Sequence, residues 1–286
     1  MNLILQSLNA DRSAIDRIAS LADVTAEDIS SGGRHAWRCA GVAYSASLKA
    51  LIDAACYGAC IDCAWLPAAP KLGAKLADFK LLAMDMDSTL ITIECIDEIA
   101  DMQGLKPQVA AITEAAMRGE LEFNESLTRR VALLKGLEAS ALQRVYDERL
   151  QLSPGAQTML TAVKAAGIKT LLVSGGFTFF TDRMKDALGL DYAHSNVLEI
   201  VDGKLTGKVV GGIVNAEEKK NTVERVCAEL NIAPSQAIVM GDGANDLSMM
   251  SIAGLSVAFR AKPVVREKAS VALNFVGLDG ILPILA

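Results

Sequence analysis

The chain has 286 residues, 51% of them hydrophobic, enough to bury one large core or two moderate ones. Its 28 basic and 34 acidic side chains leave a formal charge of −6, which argues against nucleic acid or an anionic membrane surface as a partner. No apolar run reaches the ~18 residues that a membrane span needs, and the opening Met1-Asn2-Leu3-Ile4-Leu5 lacks the positive segment of a secretory signal, so a cytoplasmic protein with no membrane partner is expected.

Residues 2–7, 36–42 and 59–66 read as strands, and 11–21 and 45–55 as helices. Residues 1–66 thus form a small αβ unit without a motif for chemistry. Its pattern resembles the ferredoxin-like modules of the ACT type, which implies a regulatory, amino-acid-binding or oligomerising unit, with a homodimer as one outcome. Cys56, Cys60 and Cys63 have the spacing of a three-cysteine iron–sulfur motif. On a strand over 59–66, however, Cys60 and Cys63 face opposite sides, which suits buried, reduced thiols better than one cluster. The six cysteines do not suggest a disulfide scaffold. Pro67-Ala68-Ala69-Pro70 opens a linker over 67–78.

The next stretch organises the remainder. Leu81 to Met84 is an apolar run that ends in Asp85-Met86-Asp87-Ser88-Thr89, the pattern of a buried parallel strand with its carboxyl end at a crevice. Four helical stretches follow, over 94–102, 107–118, 124–134 and 138–150, with Gly104, Gly119 and Gly136 as stops. Inserted at about 91–152, they make a cap able to close over that crevice. Beyond it come a helix over 156–166, a strand over 168–173 ending at Ser174-Gly175-Gly176, and a helix over 178–188. Strands over 196–201 and 204–210 flank Asp202-Gly203, a hairpin signal. A helix over 217–230, a strand over 236–240, a helix to about 253 and strands over 255–259 and 271–275 complete the chain. The alternation predicts an α/β fold with a doubly wound, mostly parallel sheet over 79–286.

Three apolar strands therefore end in polar clusters: Asp85 with Asp87, Ser174 with Gly175, and Asp242 with Asn245 and Asp246. Lys219 lies near the start of the helix before the last cluster. Carboxylates from two strands make a hard-oxygen site suited to Mg²⁺. A hydroxyl beside glycines offers donors to an anion, and a lysine adds a point charge. Together these groups fit phosphoryl transfer. The two histidines, His35 and His194, have no neighbouring ligands, and no reactive cysteine stands near the clusters, so an aspartate is the best nucleophile.

Taken in order, Asp85-Met-Asp87-Ser-Thr89, Ser174, Lys219 and Gly241-Asp242-Gly-Ala-Asn245-Asp246 resemble the four motifs of the haloacid dehalogenase superfamily of aspartate-nucleophile phosphatases. Glu94, Phe123-x-x-Ser-Leu-x-x-Arg130-Val131, Val173-Ser-Gly-Gly-Phe177 and Leu247-Ser-Met249 narrow the likeness to the branch whose members hydrolyse phosphoserine. The resemblance spans about residues 79–280. It implies that Asp85 attacks phosphorus and that Asp87 protonates the leaving oxygen and then activates water. Mg²⁺ would be held by Asp85, the Asp87 carbonyl and Asp242, with Asp246 ordering these ligands. Ser174, Gly175, Lys219 and Asn245 would hold phosphate or substrate. Glu94 would meet the substrate ammonium and Arg130 its carboxylate. Three other readings stay open: a phosphatase or phosphotransferase of the same fold for another small ester, a phospho-receiver without turnover, and an amino-acid sensor built on residues 1–66.

Overall fold

The strand Leu81–Met84 is buried at all four positions and takes the centre of the molecule. The structure is a computed structural model that describes residues 1–9, 11–66 and 75–286. Most of the expected linker, residues 67–74, lies outside the described residues. In chain order the strands are β1 (Asn2–Ser7), β2 (Ala26–Asp28), β3 (His35–Cys39), β4 (Asp62–Leu66), β5 (Leu81–Met84), β6 (Lys169–Phe177), β7 (Tyr192–Val201), β8 (Lys204–Val210), β9 (Ala237–Gly241), β10 (Leu255–Phe259) and β11 (Val271–Leu273). The helices that matter below are α1 (Arg12–Ser20), α2 (Ala46–Gly58), α3 (Cys95–Asp101), α4 (Lys106–Met117), α5 (Phe123–Ala132), α6 (Ser140–Glu148), α7 (Ala156–Ala165), α8 (Thr178–Leu188) and α9 (Ala216–Glu229).

Seven strands form one sheet in the order β11-β10-β9-β5-β6-β7-β8. All neighbours are parallel except β7 and β8, the hairpin. Its turn residues Asp202 and Gly203 both take left-handed φ, 49° and 75°, as a tight hairpin turn requires. From β5 the chain runs outward to β6 on one side and later returns to β9 on the other. That reversal opens a crevice at the carboxyl end of β5. Side chains alternate across the sheet: Leu82 and Met84 join the core under α7, α8 and the cap, while Leu81 and Ala83 join the core under α9.

Helices α3 to α6 form the insertion, and its two chain crossings are tied by an antiparallel bridge between Ile91 and Leu152. Gly104, Gly119 and Gly136 end their segments at φ of 69°, 76° and 84°. The far end of the insertion is fastened to the β7–β8 hairpin, where Gly136 N–H donates to Leu205 O and Leu205 N–H to Leu137 O, both at 2.8 Å.

The first 66 residues form a four-stranded antiparallel sheet in the order β2-β3-β1-β4, with α1 and α2 as its helices. This is the ferredoxin-like split βαβ arrangement. Asp11 caps α1 by accepting from Ala14 N–H, and Ser45 caps α2 by accepting from Leu48 N–H. Two expectations need correction. Strand β2 had no counterpart in the sequence reading. The last strand begins at Asp62 rather than 59, because Cys60 turns the chain at a φ of 55° and is exposed. Cys56 is buried and Cys63 half-buried, so the three thiols do not share one environment.

Candidate active site

The main-sheet crevice encloses about 660 Å³ and is lined by the ends of β5, β6 and β9 on one side and by cap helices on the other. Asp85, Asp87, Glu94, Arg130, Ser174, Gly175, Asp242 and Asn245 all lie on its wall. Lys219 and Asp246 do not; both are fully buried beneath it.

Asp85 follows β5 directly and is nearly buried at 5% exposure. Its Oδ1 accepts from Met86 N–H at 2.8 Å and pairs with Lys219 Nζ at 2.8 Å. Lys219 Nζ also reaches Asp246 Oδ1 at 2.8 Å, while Asp246 Oδ2 accepts from Gly243 N–H at 3.0 Å. Burial opposes the charge on Lys219, but Asp246 and Asp85 outweigh it, so its pKa rises and it stays an ammonium. Asp85 is pushed well above the usual carboxylate range by burial; Lys219 pulls it back, and Asp246 and Asp242 push it up further. Asp242 is raised to about 6, by burial and then by Asp246. The hydroxyl of Thr89 donates to Asp242 Oδ1 at 3.3 Å.

Carboxylate oxygens of Asp85, Asp242 and Asp246 lie within 4.8 Å of one another. Burial already raises Asp85 and Asp242, and both oxygens of Asp246 are engaged. The donor set therefore fits a hard divalent cation between Asp85 and Asp242. The side chain of Asp87 points elsewhere, so only its backbone carbonyl remains for the metal role expected of it.

Asp87 sits in a tight turn over Met86–Leu90 in which Ser88 takes a left-handed φ of 55°. Its Oδ1 accepts from Cys95 N–H, at the start of α3, at 2.9 Å, and its Oδ2 from the Ser174 hydroxyl at 3.4 Å. Burial raises its pKa, and the Cys95 hydrogen bond only partly offsets that. Ser174 Oγ in turn accepts from Gly176 N–H at 2.8 Å. A Cβ on Gly176 would stand 2.5 Å from Asp87 Oδ2, so any side chain here has to displace the Asp87 carboxylate. Asn196 fixes the same loop: its Nδ2 donates to Gly175 O at 2.8 Å, and its Oδ1 accepts from Val214 N–H at 2.9 Å.

Across the crevice, the Ser88 hydroxyl donates to Glu94 Oε1 at 2.7 Å. Glu94 keeps exposed surface, yet enough protein surrounds it that desolvation, then Asp87, pushes it up to about 8. Arg130 comes from α5, and Asp97 stands beside Glu94 on α3. Gly176, Asn196, Ser88 and Asp97 all escaped the sequence reading. Gly176 was signalled by the second glycine of its pair, and Asp97 by its spacing of three from Glu94 on a helix. Asn196 had no local signal. Neither histidine lines the crevice.

Residues 79–254 match the family model of the haloacid dehalogenase-like hydrolases. The phosphoserine phosphatase of Polaromonas sp. is 60% identical over 216 residues, covering 74% of this chain and 92% of the relative. A probable phosphoserine phosphatase from Vibrio cholerae, solved without ligand, superposes with a TM-score of 0.83 at 35% identity, over 99% of this chain and 86% of that one. A substrate-bound phosphoserine phosphatase complex superposes with a TM-score of 0.69 at 39% identity, over 73% of this chain and 99% of that one. The chain belongs to the haloacid dehalogenase-like hydrolases and, within them, to the phosphoserine phosphatases.

Proposed function

We propose that this chain hydrolyses O-phospho-L-serine to L-serine and phosphate, the closing step of serine biosynthesis, as a Mg²⁺-dependent cytoplasmic enzyme with Asp85 as its nucleophile. The observation that carries this reading is one crevice holding the carboxylate of Asp85 on a lysine and, from the cap, an acid and an arginine facing the same space.

In the first step an Asp85 carboxylate oxygen forms a bond to phosphorus as the seryl O–P bond breaks. The leaving oxygen would depart as a strongly basic alkoxide, so the Asp87 carboxyl gives it a proton, a contribution of about 10²–10⁴-fold. The raised pKa of Asp87 suits that role, since it keeps the proton on the acid until it is needed. In the second step Asp87, now ionised, takes a proton from water. The resulting hydroxide attacks the aspartyl phosphate, releasing phosphate and restoring Asp85.

The Ser174 hydroxyl, Gly175 N–H and Asn245 hold phosphate oxygens at the mouth. Two of the three Lys219 N–H donors are engaged by carboxylates, which leaves one for the phosphate. Asp85, the Asp87 carbonyl and Asp242 would hold Mg²⁺, which when bound neutralises charge on the transferring group. Asp246 keeps Lys219 in place. Glu94 and Arg130 supply the opposite charges that an amino acid presents.

A phosphate-release assay over O-phospho-L-serine, O-phosphoethanolamine and sugar phosphates, with Mg²⁺ or with EDTA, tests the proposal. Preferred turnover of phosphoserine, abolished by EDTA and restored by Mg²⁺, is expected. Equal rates on a sugar phosphate, or full activity in EDTA, would overturn it.

A further inference from the structure

Glu94 at the start of α3 and Asp97 three residues on share one side of that helix, and both line the crevice with Arg130 of α5. Asp97 Oδ1 and Arg130 Nε are buried, and neither has a hydrogen-bond partner. One is an acceptor and the other a donor, and buried polar atoms are nearly always paired in a working arrangement. Three acids act on Arg130: Asp97 most strongly, then Glu94, then Asp87. Glu94 is engaged by Ser88, and Asp87 by Cys95 N–H and Ser174. Of the three, Asp97 is the one with a buried oxygen still uncommitted.

Resting on the phosphoserine reading above, we infer that Asp97 is the positioning residue of the carboxylate subsite: it takes Arg130 Nε when substrate draws α3 and α5 together, and so leaves the two terminal nitrogens as a fork for the substrate carboxylate. Holding the guanidinium at Nε fixes the plane of a rigid, planar group without occupying the fork. Arg130 is also the chief charge acting on Asp97, against the burial that raises its pKa. Each group thus acts on the other, and Asp97 Oδ1 and Arg130 Nε are the two atoms of the pair that solvent does not reach.

The test is steady-state kinetics of Asp97→Asn on three esters: O-phosphoserine, 3-phosphooxypropanoate with a carboxylate only, and O-phosphoethanolamine with an ammonium only. KM should rise about tenfold on the first two, the size of one charge-assisted hydrogen bond, with kcat nearly held and a smaller change on the third. Asp97→Glu should recover part of the loss, and adding Asp97→Asn to Arg130→Lys should cost little more than Arg130→Lys alone. An equal rise on all three esters, or a rise confined to phosphoethanolamine, would overturn the assignment. If the wild type does not prefer phosphoserine to phosphoethanolamine, the substrate reading fails and takes this inference with it. A preferring wild type whose Asp97→Asn variant keeps its KM refutes the inference alone.

Discussion

Asp62 and Asp85 are two buried aspartates with opposite fates. Asp62, on β4, is 2% exposed, and Asp85, after β5, is 5% exposed. Burial pushes both carboxyls up. Asp62 accepts from the backbone N–H groups of Asn274, Phe275 and Val276 and from the Asn274 amide, at 2.7 to 3.3 Å, with donors on both oxygens. With Gln6, which donates to Gly280 O at 2.9 Å, it clasps the small sheet to the large one. Asp85 has donors on Oδ1 alone, and its other oxygen is left for chemistry. Burial alone does not mark a reactive carboxylate; unspent acceptor capacity beside a cation does.

The contrast breaks most visibly at Asp85. Asp85→Asn should lower turnover by roughly 10⁴-fold or more while urea unfolding changes little, because an amide keeps the shape and loses the nucleophile. Gly176→Ala comes next: its Cβ displaces Asp87, and a displacement of that size should cost on the order of 10²-fold in kcat. Gly212→Ala, where nothing lies within 4 Å, is the matched control. At the other aspartate, Asp62→Ala should remove about 3 kcal/mol of unfolding free energy by orphaning three backbone N–H groups, that of Val276 buried and those of Asn274 and Phe275 partly so, with kcat per folded molecule retained. Loss of turnover without loss of stability there would erase the distinction.

The smallest effect concerns pH. Glu94, raised to about 8, is largely protonated below that pH and ionised above it. Attraction for an ammonium therefore grows as pH rises toward 8. The kcat/KM for phosphoserine should climb over that range more steeply than for 3-phosphooxypropanoate, and Glu94→Gln should remove the difference.

Much of this was legible in the residues. Strands β5 and β9 are unbroken apolar runs, and the acidic residues that follow them point to the crevice. Short or mixed segments were not legible. Ala26–Asp28 has two exposed acids among three residues, and only pairing with β3 makes it a strand. Tyr192 to His194 extends β7 because Leu171 to Val173 lie beside it, not through any pattern of its own. Lys219 sits among Glu217, Glu218 and Lys220, where nothing local distinguishes a fully buried ammonium from a solvated one; tertiary packing decides it. Asn196 serves Gly175 and Val214, both distant in sequence, and such service has no one-dimensional signature.

The central claim is that phosphate passes through a covalent bond to Asp85. Rapid acid quench during turnover of radiolabelled phosphoserine, followed by peptide mapping, reads it directly. A single labile phosphoryl group on the peptide bearing Asp85, absent from Asp85→Asn, is the predicted result. Label on another residue, or full turnover with no protein-bound phosphate at any quench time, would contradict the account.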